Sequence, residues 1–385
     1  MKIGLDAKRI FHNHSGLGNY GRSTLQILAK DQSDTDFLLY TPKLKSHDEV
    51  AFVETQKNVF TKTPSSLFHK VFKFLWRPYF VLKQAQKDQI DLYHGLSNEL
   101  PFGLKWRSMK KIVTIHDLIF LRYPKQYKLL DRMVYDFKSK YACKHADKVI
   151  AISEQTKRDL VEFYGVNPDK IEVIYQTCHP IFKEKASANF LSQIRIKYQL
   201  PDEFLLYVGS INERKNLMTL LESLCELPEE KLVVVGRGKA YKEKCMTFIQ
   251  ENNLSNRVFL LDVSQNEDLA AIYQLADIMI YPSVFEGFGI PIIEALYSKT
   301  PVITSKGSCF AEAGGSHTLY INPTESSELK EAVLKIKKNP KLRLEMLEQG
   351  YAHAQKFSES YIAKTIASLY KRTLNDSSNS HHTHL

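Results

Sequence analysis

Residues 286–294 read Glu286-Gly-Phe-Gly-Ile-Pro-Ile-Ile-Glu294, two carboxylates eight positions apart around a Gly287-Phe288-Gly289 turn. The apolar run Ile278-Met-Ile-Tyr281 precedes this stretch, and Pro291 opens a second apolar run. Proline suits the first helical position, where its missing N–H is not needed. The local reading is therefore strand, glycine turn, helix. Such a turn leaves backbone N–H groups at the positive end of a helix dipole, a seat for phosphate. Glu286 stands before that helix and Glu294 about one turn inside it. A phosphate seat between two hydroxyl-accepting carboxylates suits a sugar nucleotide. The same pattern also suits a buried crossover whose glutamates merely cap and solvate it.

Upstream, Phe204-Leu-Leu-Tyr-Val-Gly209 reads as a strand ending in glycine, followed by Ser-Ile-Asn-Glu-Arg214-Lys215-Asn216 and a helix from Leu217. Two adjacent cations in a strand–helix loop can neutralise a diphosphate, though they also suit a solvated surface. Further strands are expected at Lys231–Gly236, Val258–Asp262, Pro301–Ser305 and Thr318–Ile321. In the first half they are expected at Lys2–Leu5, Phe37–Tyr40, Ile90–His94, Lys111–His116, Lys148–Ile152 and Ile171–Tyr175. Helical patterns alternate with these strands, which implies two α/β domains with parallel sheets. The expected limits are residues 1–182, a polar connection, and residues 200–356, with a last helix at about 357–374 and a disordered tail at 375–385. The default active site is the cleft between two such domains.

A chain of 385 residues fits two domains. Its charge is lopsided. Residues 1–150 hold 26 lysines and arginines against 14 acids, and the remainder 27 against 29. An excess of positive charge in the first part favours an anionic partner there. The five cysteines are scattered without a CxxC pair, as in a reducing compartment. The first residues do not read as a signal peptide and no apolar run reaches membrane-spanning length. The expected location is cytoplasmic.

Residues 67–87 mix aromatics with Lys70, Lys73, Arg77, Lys83 and Lys87 and contain no acid. They read either as an interfacial membrane helix or as a core-facing helix with a basic outer face. Early in the chain, Gly16-Leu-Gly18-Asn-Tyr-Gly21 reads as a glycine loop between the first strand and first helix, without dinucleotide or P-loop spacing. Val113-Thr-Ile-His116-Asp117 ends a strand in a His-Asp pair, at the sheet edge where such folds do chemistry. A strongly basic helical region follows, from Lys125 to Lys148.

Arg214-Lys215-Asn216 and Glu286-x7-Glu294 together resemble a family 4 glycosyltransferase of the GT-B fold. Gly16-Leu-Gly18-Asn-Tyr, Ile115-His116-Asp117-Leu, Ala151-Ile-Ser-Glu-Gln-Thr-Lys-Arg-Asp159-Leu, Phe288-Gly-Ile-Pro-Ile-Ile-Glu-Ala295 and Pro301-Val-Ile-Thr fit the same family. The resemblance covers nearly the whole chain and is nearest to bacterial mannosyltransferases. It implies two Rossmann-like domains facing across a cleft, and transfer of a hexose from a nucleotide-diphosphate sugar with retention. GDP-mannose is favoured over a UDP-sugar. The acceptor it implies is a glycan or a polyprenyl-diphosphate-linked glycan in surface-polysaccharide synthesis. By position, Arg214 and Lys215 would hold the diphosphate, Glu294 the ribose hydroxyls and Glu286 the donor sugar. Gly209 and the backbone N–H groups of Phe288, Gly289 and Ile290 would line the donor. His116 and Asp117 would stand on the acceptor side, and Gly18 would lie against the phosphates. No cofactor or metal is implied, because Arg214, Lys215 and the helix N-terminus can take up the leaving group's charge.

The stretch Ser305-Lys-Gly-Ser-Cys-Phe310-Ala-Glu312 departs from the family pattern at Phe310-Ala311. The competing expectation is non-enzymatic: a peripheral membrane or nucleic-acid binding protein using the basic first half. The enzyme reading expects no nucleic-acid partner. It allows an anionic membrane contact on the inner face of the plasma membrane.

Overall fold

The computed structural model describes residues 1–13, 16–64, 76–103 and 109–376. The chain forms two compact units, one of residues 1–177 with 358–385, the other of residues 178–357. Strands β1 Lys2–Asp6, β2 Asp36–Tyr40, β3 Val59–Lys62, β4 Leu92–Gly95, β5 Lys110–Ile115, β6 Lys148–Ala151 and β7 Ile171–Val173 form the first sheet, in the order β3-β2-β1-β4-β5-β6-β7. Strands β8 Leu205–Val208, β9 Leu232–Val235, β10 Val258–Leu261, β11 Ile278–Tyr281, β12 Val302–Ser305 and β13 Leu319–Ile321 form the second, ordered β10-β9-β8-β11-β12-β13. Every pairing is parallel. This is the α/β architecture expected from alternating strands and helices. The central strands read as unbroken apolar runs because helices cover both faces: Leu205–Val208, Leu232–Val235 and Ile278–Tyr281 are buried throughout. In each unit strand order reverses between the first and fourth strands, and the crevice at their carboxyl ends is where open sheets seat ligands.

Three local outcomes differ from the sequence expectation. Strand β3 was not anticipated; it is a short edge strand with Phe60 exposed, and its apolar pattern is weak. Residues 178–182, expected to end the first domain, and the polar stretch from there to residue 200, expected to connect the two, belong to the second unit. Its helix Ala188–Lys197 is followed by Tyr198, and Lys197 and Tyr198 reach Asp268 at 2.6 and 2.7 Å. Of the two readings of residues 67–87, the described part fits the core-facing one, with Trp76, Val81 and Ala85 buried in the first unit's core and Lys83 and Lys87 exposed. Arg77, expected on a basic outer face, is buried against Asp6 and Glu99. Residues 67–75 lie outside the described residues.

The helix Glu359–Asn375 packs Ile362, Ile366, Leu369 and Tyr370 into the first unit's core. Tyr370 Oη lies 2.7 Å from His94 Nδ1, and His94 Nε2 lies 2.8 Å from Thr114 Oγ1, which also meets the Tyr20 hydroxyl at 3.1 Å. Burial holds the His94 imidazole down at about 3, so at neutral pH it is an uncharged member of a satisfied network.

Gly16 to Gly18 are not a loop but the first turn of the helix Gly16–Asp31. A Cβ on Gly18 would lie 1.8 Å from the Asn13 carbonyl oxygen, whereas one on Gly16 would meet nothing within 4 Å. The Gly18 requirement is therefore steric. Gly18→Ala is expected to cost roughly 1–3 kcal/mol in urea denaturation, and Gly16→Ala to leave stability unchanged or slightly raised.

Candidate functional site

In the second unit the sequence Asn212-Glu-Arg-Lys-Asn216 explains how two cations come to face one carboxylate. Asn212 Oδ1 accepts from Lys215 N at 3.1 Å and caps the single turn Glu213–Lys215. Asn216 takes a left-handed conformation, φ 55°, and donates from Nδ2 to the Pro323 carbonyl at 2.6 Å. The turn is thus fixed at both ends just past β8. The loop after β11 is tied to it by Val284 N donating to Arg214 O at 2.8 Å, and Ser283 Oγ lies 3.1 Å from the same oxygen. β8 and β11 are the pair flanking the reversal of strand order.

Glu286 sits between these loops. Arg214 Nη1 and Lys215 Nζ each lie 2.7 Å from its Oε1, and the Ser283 hydroxyl donates to the same oxygen. Lys215 Nζ also reaches the Tyr281 hydroxyl and lies 4.7 Å from the centre of that ring. Burial would raise the Glu286 carboxyl, but the Lys215 and Arg214 charges overcome it and hold it at about 2. Burial in turn lowers the Lys215 ammonium despite the attraction of Glu286. Glu286 is therefore ionised at neutral pH beside the Arg214 guanidinium.

The glycine turn follows as read. Gly289, φ 119°, stands just before the helix Ile290–Tyr297, and Pro291 is its second rather than its first residue. Phe288 is buried, its ring 5.4 Å from that of Phe357. Glu294 lies on the helix's half-buried side and accepts a hydrogen bond from the Tyr273 hydroxyl at 2.9 Å. Burial pushes its carboxyl up to about 7 against that hydrogen bond. The two glutamates of one stretch therefore have opposite electrostatics. Glu286 is a permanent anion, and Glu294 titrates near neutrality.

Ser283, Tyr281, Tyr273 and Ser308 belong to this cluster and were not singled out in the sequence. Ser308, φ 47°, accepts from Glu286 N at 3.2 Å and donates to Glu286 O at 3.0 Å. It lies in the stretch that departs from the family pattern. The signal for Tyr281 and Ser283 was position alone: Tyr281 closes β11 and Ser283 follows it by two residues.

In the first unit, His116 directly follows β5 and is buried. Its Nε2–H donates to the Leu96 carbonyl at 2.9 Å, its N–H to Asn98 Oδ1 at 2.7 Å, and its ring meets Tyr20 edge-on at 4.6 Å. Burial, opposed by the bond to Leu96, lowers it to about 4, so it is neutral. Asp117 accepts from Ile119 N at 3.1 Å, at the start of the short helix Ile119–Arg122. At the same sheet edge a cavity of about 630 Å³ is lined by Asp6, Lys8, Arg77, Glu99, Phe102 and Lys138 among others. Arg77 Nη2 lies 2.7 Å from Glu99, which meets Lys138 at 3.0 Å. Burial would raise the Glu99 carboxyl, and these cations hold it at about 2. Sequence reading missed this cavity because its members are scattered from Asp6 to Lys138. No group of side chains suited to a metal ion occurs among the described residues.

Known proteins similar to this chain are glycosyltransferases in sequence and share its fold. Residues 14–178 match the model of glycosyltransferase family 4, and residues 192–353 that of glycosyl transferases group 1. The chain is 25% identical to O-antigen chain mannosyltransferase B of Escherichia coli, over 95% of its own length and 98% of that protein's. Its fold is similar to sucrose-phosphate synthase of Thermosynechococcus elongatus, with a TM-score of 0.75, 21% identity and coverage of 98% and 100%. It is also similar to Anabaena HepE in complex with UDP-glucose, with a TM-score of 0.74, 19% identity and coverage of 97% and 100%.

Proposed function

The chain belongs to the glycosyltransferases that join a family 4 domain to a group 1 domain, and from that premise we propose that it is a retaining mannosyltransferase. It takes GDP-mannose, in preference to a UDP-sugar, and extends a glycan or polyprenyl-diphosphate-linked acceptor in the synthesis of a surface polysaccharide. The O-antigen mannosyltransferase similar along nearly its whole length supports the sugar and the process. The observation that carries the chemistry is the Arg214–Lys215–Glu286 cluster at the second unit's strand reversal.

In the proposed reaction the donor's diphosphate takes the guanidinium of Arg214 and the ammonium of Lys215. Glu286, held ionised, accepts from hydroxyls of the sugar, and Glu294 accepts from the ribose. The bond from anomeric carbon to diphosphate oxygen lengthens, the sugar becomes oxocarbenium-like, and the departing oxygen gains negative charge beside two fixed cations and a helix N-terminus. The acceptor hydroxyl attacks from the face the diphosphate leaves, and its proton passes to the departing phosphate oxygen. His116 of the first unit, neutral and tied to Leu96, does not serve as a titrating acid. No covalent sugar–enzyme intermediate forms, and no divalent metal is required.

The test is a panel of GDP- and UDP-sugars incubated with and without EDTA, reading nucleotide release and thermal shift. GDP-mannose is expected to stabilise the protein and turn over equally in EDTA. Turnover with UDP-sugars alone would overturn the donor assignment. Activity lost in EDTA and restored by one divalent cation would overturn the metal-free mechanism.

A further inference from the structure

The helix Leu129–His145 carries an apolar stripe on its outside. Leu129, Met133, Phe137, Leu130 and Val134 fall within one arc of the helix, and all five are exposed, Leu130 at 76% and Phe137 at 62%. The opposite side, Ser139, Ala142 and Cys143, is buried against the first unit. The arrangement inverts the usual one, in which a surface helix turns its large apolar residues inward. Among the described residues these five and Tyr135 make up about half of the large apolar side chains left exposed. Isolated exposed leucines are ordinary, whereas a contiguous stripe marks an interaction surface.

Charge identifies the partner. Lys140 and Lys144 continue the same arc one and two turns further on, and exposed Lys125 and Lys128 precede the helix. Residues 122–145 hold seven lysines and arginines against two acids. Asp136, one of those acids, lies outside the stripe and accepts from Tyr164 at 2.9 Å. An apolar strip bracketed by lysines suits the boundary between acyl chains and anionic headgroups. We propose that this helix docks the first unit on an anionic lipid surface, the stripe entering the acyl boundary and Lys125, Lys128, Lys140 and Lys144 meeting the headgroup phosphates. The anionic partner expected for the basic first half thus finds a surface at residues 125–144. Phe137 lies 5.6 Å from Phe102, which lines the 630 Å³ cavity, so a substrate carried in the lipid surface would arrive at that opening. Docking adds to the proposed transfer and does not depend on it.

The test is flotation with vesicles of phosphatidylcholine containing phosphatidylglycerol, at low and high salt. The wild-type protein is expected to float with these vesicles at low salt, less at high salt, and not with phosphatidylcholine alone. The double change Leu130→Glu/Phe137→Glu is expected to lower vesicle binding at least about tenfold. Lys140→Glu/Lys144→Glu is expected to remove most of the salt dependence. Ile196→Glu, an exposed position in the second unit, serves as the control that leaves binding unchanged. Thermal shift with donor nucleotide, read at the Arg214–Lys215 cluster of the second unit, and circular dichroism report whether each variant is folded. The proposal is overturned if the wild type does not float, if the Leu130/Phe137 variant floats equally well, or if the stripe proves to join two copies of the chain. That last case would appear in sedimentation as a dimer that the same variant dissociates, without lipid binding.

Discussion

Lys215→Met is expected to lower kcat/KM for sugar transfer about 10²–10³-fold while leaving the protein as stable as before, or slightly more so. The size follows from removing one preorganised charge aimed at the leaving group. The stability half follows from the site's electrostatics. Burial lowers the Lys215 ammonium, which means that the folded protein holds this charge at a cost. Methionine fills the space, and Glu286 keeps Arg214 at 2.7 Å and the Ser283 hydroxyl. Glu286→Ala is the contrasting case, because it strands two buried cations against each other. Removing one partner of a buried ion pair costs about 3–5 kcal/mol. A diphosphate nucleotide should restore part of that loss by occupying the cations, so the nucleotide-induced thermal shift should be larger for Glu286→Ala than for the wild type. Kinetics of both variants with thermal scans in the presence and absence of GDP decide the matter. Full activity of Lys215→Met would remove the cluster from the reaction.

Glu294→Gln is expected to raise stability at pH 8 and leave it unchanged at pH 4, while weakening donor binding. Glu294 titrates near 7 in the folded chain, above the unfolded value of about 4.3. A carboxyl raised in this way favours the folded state fully below the unfolded value, and that contribution is lost as pH rises toward 7. The glutamine keeps an acceptor for the Tyr273 hydroxyl and never ionises. The expected gain at pH 8 is about 3–4 kcal/mol, read by urea denaturation at the two pH values. Donor affinity should move oppositely. A ribose diol donates best to an ionised carboxylate, so wild-type affinity should rise through pH 7 and that rise should vanish in the variant. A variant both less stable and unchanged in donor affinity would place Glu294 in the packing alone.

The sequence marked residues that short-range geometry constrains. Arg214 and Lys215 follow one strand, Glu286 follows another, and the reversal of strand order places those two strand ends side by side. The glycine turn and the helix at Ile290 were likewise legible from Gly289 and Pro291. What could not be read were contacts set by tertiary packing. Tyr273 is 21 positions from Glu294, and Ser308 is 22 from Glu286, with no pattern linking them. Nor could the sequence show that the small size of Gly18 answers to the carbonyl of Asn13. Residues 67–87 could be read two ways, because base and aromatic residues occur both on membrane helices and on core helices. The burial of Trp76 and the pairing of Arg77 with Asp6 decide only their second half. The exposed stripe at residues 129–137 escaped notice because apolar residues at helical spacing are ordinarily read as facing inward.

The Tyr370–His94–Thr114 network has a consequence for synthesis of the chain. The second unit is one uninterrupted segment, residues 178–357, and has all its strands and helices once residue 357 has been made. The first unit does not. Its core takes Ile362, Ile366 and Leu369 from the far end of the chain, and His94 meets a hydroxyl 276 residues away. Order of translation and order of completion are therefore reversed. On the ribosome the N-terminal sheet must wait, with a strip of apolar surface and a buried histidine unsatisfied, while the domain made after it can close first.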